Sequence, residues 1–119
     1  MHNQLSSELI GLLGEAAFVA LAERFGGTRL HVPAKVRPGH ELAELLGQDK
    51  AERLVQSYTS ATLRIPLARE LRARHYRAQG LSNAGIARKL GITETGVDKL
   101  FRRMECPPIK GSAQLLLPL

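Results

Sequence analysis

The chain has no tryptophan, and aromatic residues make up only 4% of its 119 positions. Its core must therefore be assembled from Leu, Ala, Val and Ile, a composition that suits helices packed side by side. There is one cysteine, Cys106, which excludes an internal disulfide. With no second cysteine or neighbouring histidine, it offers neither a zinc site nor an activated nucleophile. The histidines His2, His31, His40 and His75 show no metal-ligand spacing. Paired carboxylates and a phosphate-cradling glycine loop are missing too, since Gly26-Gly27 more simply ends a helix. No catalytic residue, metal or cofactor is expected, and the chain does not read as an enzyme. Nothing near the N-terminus has the apolar run and cleavage site of a signal peptide, and no stretch approaches the ~20 apolar residues of a membrane span. A cytoplasmic protein with no membrane partner is expected.

Charge is what the chain has in excess. The net charge is +6 and the pI about 10.1, and the excess is segregated. Residues 1–60 carry six Lys/Arg against seven Asp/Glu, whereas residues 61–119 carry eleven against four. A basic half joined to a near-neutral half is the distribution expected if one end of the molecule meets a polyanion. Charge kept only for solubility has no need to segregate.

The basic half contains the most informative stretch, Leu81 to Met104, which reads as a helix, a tight turn and a second helix. Ser82 can cap the first helix, whose apolar positions Ile86, Ala87 and Leu90 share one face. Gly91 ends it, because the chain must turn there and a residue without a Cβ adopts the left-handed conformation at little cost. Ile92 plugs the core and Thr93 is the next N-cap. Val97, Leu100 and Phe101 give the second helix its inward stripe, and the small Ala87 lets the two helices cross closely. Glu94, Thr95, Gly96, Asp98, Lys99, Arg102 and Arg103 face outward. A helical hairpin with a solvated charged face would share some of these features. The joint placement of caps, glycine, small residue and plugs matches a helix-turn-helix, with residues 93–104 as the helix that enters the major groove.

The near-neutral half repeats itself. Glu8-Leu9-Ile10-Gly11-Leu12-Leu13-Gly14 returns as Glu41-Leu42-Ala43-Glu44-Leu45-Leu46-Gly47, 33 residues later. Leu21 then aligns with Leu54, Phe25 with Tyr58, Leu30 with Leu63, Val32 with Ile65 and Pro33 with Pro66, at the same offset and without a gap. This predicts a tandem duplication of a helix-helix-strand unit. In the first copy Ser6 caps a helix, Gly14 breaks it, Phe18, Leu21, Ala22 and Phe25 mark a second, and Gly26-Gly27 stop that. In the second copy Asp49 and Glu52 resemble a capping box, Ala51, Leu54, Val55 and Tyr58 repeat the stripe, and Thr59-Ser60 replace the glycines.

Alternation in the strands puts Leu30 and Val32, and their counterparts Leu63 and Ile65, on one face. Arg29, His31, Thr62 and Arg64 lie on the other. A lone two-stranded ribbon is marginal in water, so its apolar face must lie on helices. Its basic face is either a solvated edge or a surface that touches DNA. After Pro66, residues 67–79 read as a helix with Leu67, Leu71 and Ala78 inward and Arg69, Arg72, Arg74 and Arg77 largely outward, near the expected DNA backbone, with Gly80 at its end. A solvated face would explain these arginines, but phosphate contact is favoured for some of them, because phosphate attraction is nonspecific and additive. Beyond Met104, Pro107-Pro108 stop the last helix and Leu115 to Leu119 form an apolar tail.

Two anchors carry a family resemblance. Gly26-Gly27-Thr28-Arg29-Leu30-His31-Val32-Pro33 and the stretch from Gly91-Ile92-Thr93 through Val97 to Phe101-Arg102-Arg103-Met104 resemble the Mor (middle operon regulator) family of transcription activators of Mu-like phages. The resemblance covers most of the chain. It implies a dimerisation region of helices plus a strand, a C-terminal DNA-binding domain, promoter binding as a dimer and engagement of RNA polymerase. The family pattern has one helix-helix-strand unit per chain, whose strand pairs with that of a second subunit. Here two units stand in tandem, so the strands can pair within one chain or between two. His31 and Arg64 also stand where the family has a strand aromatic.

The expected fold is thus mainly α with a small two-stranded β-ribbon. Residues 1–66 form the duplicated dimerisation-like domain, 67–106 a helix-turn-helix domain and 107–119 a tail. The expected function is a sequence-specific, phage- or prophage-related transcriptional regulator that binds double-stranded DNA as a homodimer, with RNA polymerase as a further partner. Thr95, Gly96 and Lys99 lie nearest the base edges and Arg88, Arg102 and Arg103 on phosphates, with Thr93 at the helix start and Arg29 and Arg64 on the ribbon. The alternative is a protein-interaction module that uses the same scaffold to bind another regulator or a polymerase subunit.

Overall fold

A computed structural model of the chain describes residues 4–104. Cys106, Pro107-Pro108, the apolar tail and His2 lie outside the described residues. Seven helices and two strands occur among those residues, a mainly helical fold with one small antiparallel sheet. The chain divides into two compact units between Ala68 and Arg69.

The first unit contains α1 (Gln4–Leu13), α2 (Glu15–Phe25), β1 (Arg29–His31), α3 (Glu41–Leu46), α4 (Gln48–Tyr58) and β2 (Thr62–Arg64). A single glycine separates the helices of each pair. Gly14 and Gly47 both have φ 89°, a conformation that a Cβ would strain. The local hydrogen bonds recur with the 33-residue offset. Gly14 N–H donates to Ile10 and Gly47 N–H to Ala43, each at 2.8 Å, and Thr28 N–H donates to Phe25 and Ala61 N–H to Tyr58, each at 2.9 Å. Where Gly27 takes φ 81°, the counterpart Ser60 takes φ 60°, so a residue with a side chain carries the left-handed turn there.

The strands pair antiparallel within the chain, with Leu30 opposite Leu63, Arg29 opposite Arg64 and His31 opposite Thr62. Val32 N–H donates to Ala61 and Ile65 N–H to Thr28, so each strand end is closed by the mirror bond of the other. Leu30, Val32, Leu63 and Ile65 are buried, and their neighbours face solvent. The helices pack crosswise, α1 on α4 and α2 on α3. Leu9, Leu13, Phe18, Leu21, Leu42 and Leu54 fill the space between. At the edges, Arg24 pairs with Glu41 at 2.5 Å and lies over the Phe25 ring.

Two expected caps are replaced. Ser6 does not cap α1: the helix already runs from Gln4, whose side-chain amide reaches Glu8 one turn on, and Ser6 is buried inside it. Asp49 and Glu52 form no capping box, because Gly47 both ends α3 and begins α4, which makes Asp49 a first-turn helical residue. A carboxylate there favours the helix dipole without capping it. The side-chain amide of Gln48 donates to Glu52 and to the Val36 carbonyl instead, and His40 Nδ1 caps α3 by accepting from Leu42 N–H.

The second unit is α5 (Arg69–Ala78), α6 (Asn83–Leu90) and α7 (Glu94–Arg103), each packed on the other two. The expected helix over 67–79 is shorter and turned. Leu67 precedes it, is 42% exposed and lies against Gly27, while Leu71 and Ala78 are only half-buried. The inward residues of α5 are Arg72, Ala73 and Tyr76. Tyr76 offers the large apolar surface that Leu67 and Leu71 were expected to supply, and Arg72 follows it inward because its guanidinium finds partners there.

A second contact ties the two helical pairs of the first unit at the surface. Tyr58 Oη donates to Glu8 Oε1 at 2.6 Å. Burial, the hydrogen bond to Glu8 and the carboxylate's charge, in that order, push the Tyr58 hydroxyl up to about 12 from its ordinary 10. The folded chain therefore holds this proton more tightly than the unfolded chain. The contribution is complete below pH 10 and is lost as pH rises toward 12. Tyr58→Phe is expected to cost about 0.5–1.5 kcal/mol at pH 7 and to remove part of the stability loss between pH 10 and 12. Urea unfolding of both proteins at pH 7, 10 and 12 checks this.

Candidate nucleic-acid interface

The second unit is built to hold α7 with one face free. Ser82 Oγ accepts from Gly85 N–H at 3.2 Å and so caps α6, and Thr93 Oγ1 accepts from Gly96 N–H at 2.9 Å and so caps α7. Each cap satisfies a backbone donor that the first helical turn leaves unpaired. Between them Gly91 sits at φ 71°, and both its N–H and that of Ile92 donate to the Ala87 carbonyl. This is the left-handed helix ending that glycine permits. Ile86, Ala87, Val97 and Leu100 are buried between the helices, and Met104 closes the end of α7. Leu90, Ile92 and Phe101 are half-buried.

Two arginines of α5, expected to point toward DNA, act as internal struts. Arg72, 6% exposed, donates through Nε to Tyr76 Oη at 3.1 Å and through Nη2 to the Lys89 carbonyl at 3.0 Å. That carbonyl lies in the last turn of α6, where a cation complements the helix dipole. Arg77 Nη1 donates to the Leu81 carbonyl at 2.9 Å and Nη2 to Asn83 Oδ1, and its guanidinium stands 4.9 Å from the centre of the Phe101 ring. One side chain therefore joins the end of α5, the start of α6 and the flank of α7. The planar guanidinium suits this: it donates in two directions while its face covers an aromatic ring. Arg74 Nη2 lies 3.6 Å from Met104 Sδ, and Arg69 is exposed. The sequence signal for the struts is faint, since an arginine one helical turn before a tyrosine also fits a solvated face.

The expected reading residues are distributed as follows. Thr95, Lys99 and Arg102 are exposed and follow one another at four- and three-residue spacing, which places them along a single ridge of α7. Arg103 is exposed on one flank and Asp98 is half-exposed on the other. Gly96 is set back from the ridge: a Cβ there would lie 3.2 Å from Thr93 Oγ1 and 3.5 Å from Ile92 Cδ1. Its place is against the turn, and its N–H serves the Thr93 cap. Thr93 is exposed, but its hydroxyl oxygen is engaged by that cap. Arg102 Nη2 pairs with Asp98 Oδ2 at 2.6 Å. Arg88 is exposed on α6. The residues after Ala68 carry ten Lys/Arg against four Asp/Glu, and those up to Ala68 seven against seven.

Arg29 and Arg64 lie on the exposed face of the ribbon in the first unit, directly opposite each other. The ladder bonds at Thr28/Ile65 and Val32/Ala61 make Arg29/Arg64 a non-hydrogen-bonded pair, the kind whose side chains start closest together. Like charges so placed are unfavourable, and a bound anion would relieve them. Beside them His31 Nδ1 lies 3.3 Å from Thr62 Oγ1.

Among the described residues, no group of three or more His, Cys, Asp or Glu is arranged to hold a metal ion, and no helix is long and apolar enough to cross a membrane. No protein family, curated protein or solved structure gives a match to the chain.

The two kinds of arginine should separate on mutation. Arg77→Ala removes contacts to three segments and is expected to destabilise the second unit by about 1–3 kcal/mol. Arg88→Ala, exposed on α6, is expected to stay within about 0.5 kcal/mol of the parent. Urea unfolding followed by circular dichroism measures both.

Proposed function

We propose that the chain is a sequence-specific DNA-binding regulator whose α6–turn–α7 segment is a helix-turn-helix with α7 as the reading helix. The observation that carries this reading is the exposed ridge of Thr95, Lys99 and Arg102 on a helix whose other faces are pinned by caps, core and arginine struts. A groove-reading helix needs both properties, polar side chains that project and a scaffold that fixes them. Lys99 and Thr95 then meet base edges near the helix start, and Arg88, Arg102 and Arg103 meet phosphates. Phosphate contacts supply affinity and register, and base contacts supply the choice of sequence.

The two helix-helix-strand segments up to Pro66 are proposed to be a duplicated unit of the Mor-like kind, with phage or prophage ancestry. What supports this is the shared 33-residue offset of glycine turns and hydrogen bonds. The strands pair inside the chain, so a homodimer would have to use another surface, and each chain carries one reading helix. Arg29 and Arg64 are proposed as a secondary phosphate contact. The balanced charge of the first unit also favours the second reading, in which this half docks on a protein, RNA polymerase or another regulator, while the basic half holds DNA.

Salt separates the readings, because phosphate binding weakens steeply with ionic strength and an apolar protein interface does not. Binding to random duplex is expected to weaken at least tenfold between 50 and 200 mM salt. On a selected sequence, Lys99→Ala should lose about 1–3 kcal/mol of discrimination, whereas Arg103→Ala should weaken all duplexes about equally. Fluorescence anisotropy with a panel of single-base variants reads both. Salt-insensitive binding, or none, would move the protein-interaction reading to the front.

A further inference from the structure

We infer that Asp98 restrains Arg102 and so holds down the affinity of α7 for DNA of any sequence; this rests on the DNA-binding reading of α7. On the flank of its exposed ridge α7 carries a carboxylate in hydrogen-bonded contact with a ridge guanidinium, Asp98 Oδ2 to Arg102 Nη2 at 2.6 Å. The side chains are 50% and 73% exposed, so the pair lies in solvent on the face that would approach the nucleic acid.

Stability gives a weak account of this carboxylate. An exposed pair of this spacing contributes only a few tenths of a kcal/mol to a helix. Asp98 also lies beyond the first turn of α7 (Glu94–Arg103), where an acidic residue gains from the helix dipole, and Glu94 already occupies that place. Next to a polyanion the carboxylate acts in two unfavourable ways. It repels phosphate directly, and it competes with phosphate for the guanidinium of Arg102. Both act on every duplex alike, since every duplex presents the same backbone. The neighbouring cations differ: Lys99, Arg88 and Arg103 have no ion pair with another described residue. Arg102 is therefore the cation whose contribution to nonspecific affinity is attenuated, and discrimination is left to Thr95 and Lys99.

The test is a double-mutant cycle in the 119-residue chain with Asp98→Asn, Arg102→Ala and the double variant. Each is titrated by anisotropy against random duplex and against a selected sequence at several salt concentrations. Asp98→Asn is expected to tighten random-duplex binding by about three- to tenfold and to steepen the salt dependence by about one phosphate contact. Selected and random duplexes should gain alike, leaving their affinity ratio within about twofold of the parent's, because the backbone that Arg102 meets is the same on both. In the Arg102→Ala background the gain should largely disappear, and Asp98→Glu, which restores the pair at the same spacing, should behave as the parent does. A gain that persists in full without Arg102, or no gain at all, would overturn the inference while leaving the DNA reading intact. A parent protein that binds no duplex at low salt removes both.

Discussion

Leu30 lies opposite Leu63, and the architecture of the first unit follows from the need to bury that pair. Strands of three residues cannot hold a ribbon together by ladder bonds alone. The ribbon persists because Leu30, Leu63, Val32 and Ile65 are buried together on one face. The paired leucines stand 33 residues apart, one in each helix-helix-strand segment. Around them α1 packs on α4 and α2 on α3. Each pair of helices thus completes the core begun by the other.

The second unit solves a different problem with the same shortage of aromatics. Its three helices have ten, eight and ten residues, too short to be stable alone. Their shared core of Ile86, Ala87, Val97 and Leu100 is small. Arg72 and Arg77 extend it, because an arginine stem covers apolar surface while its head satisfies carbonyls that helix ends leave open. Tyr76 contributes from both ends, with its hydroxyl on Arg72 and with Arg72 and Lys89 near its ring. The result is a fixed platform for α7 built with little hydrocarbon.

What was legible in the sequence was whatever depends on local backbone chemistry or strict period. The glycine turns at Gly14, Gly47 and Gly91, the caps at Ser82 and Thr93, and the alternation in both strands all follow from single-residue rules, and each is found in the structure. What was not legible depends on competition between partners. Ser6 could cap only if the helix began there, yet Gln4 already starts it. Asp49 lost the cap position to Gly47, which serves two helices at once. The orientation of α5 turned on whether Leu67 and Leu71 or Tyr76 would be buried, and a helical period drawn through arginines does not decide that. Gly96 reads as outward from its place in the helix, but the neighbouring turn at Ile92 and Thr93 takes up the space around it.

The arginine struts also change what the charge of the second unit means. Ten basic residues after Ala68 suggest a strongly attractive surface, yet they are not equivalent. The heads of Arg72 and Arg77 are committed to carbonyls, an amide and aromatic rings, and Arg102 is shared with Asp98. Net charge still sets the long-range field, because a buried cation attracts a polyanion from a distance as an exposed one does. Only an exposed head can displace a counterion at contact. On the proposed DNA-binding reading, the chain would be steered to nucleic acid by its full charge and held there by a fraction of it, to which Arg88, Lys99 and Arg103 would contribute more than Arg72, Arg77 and Arg102.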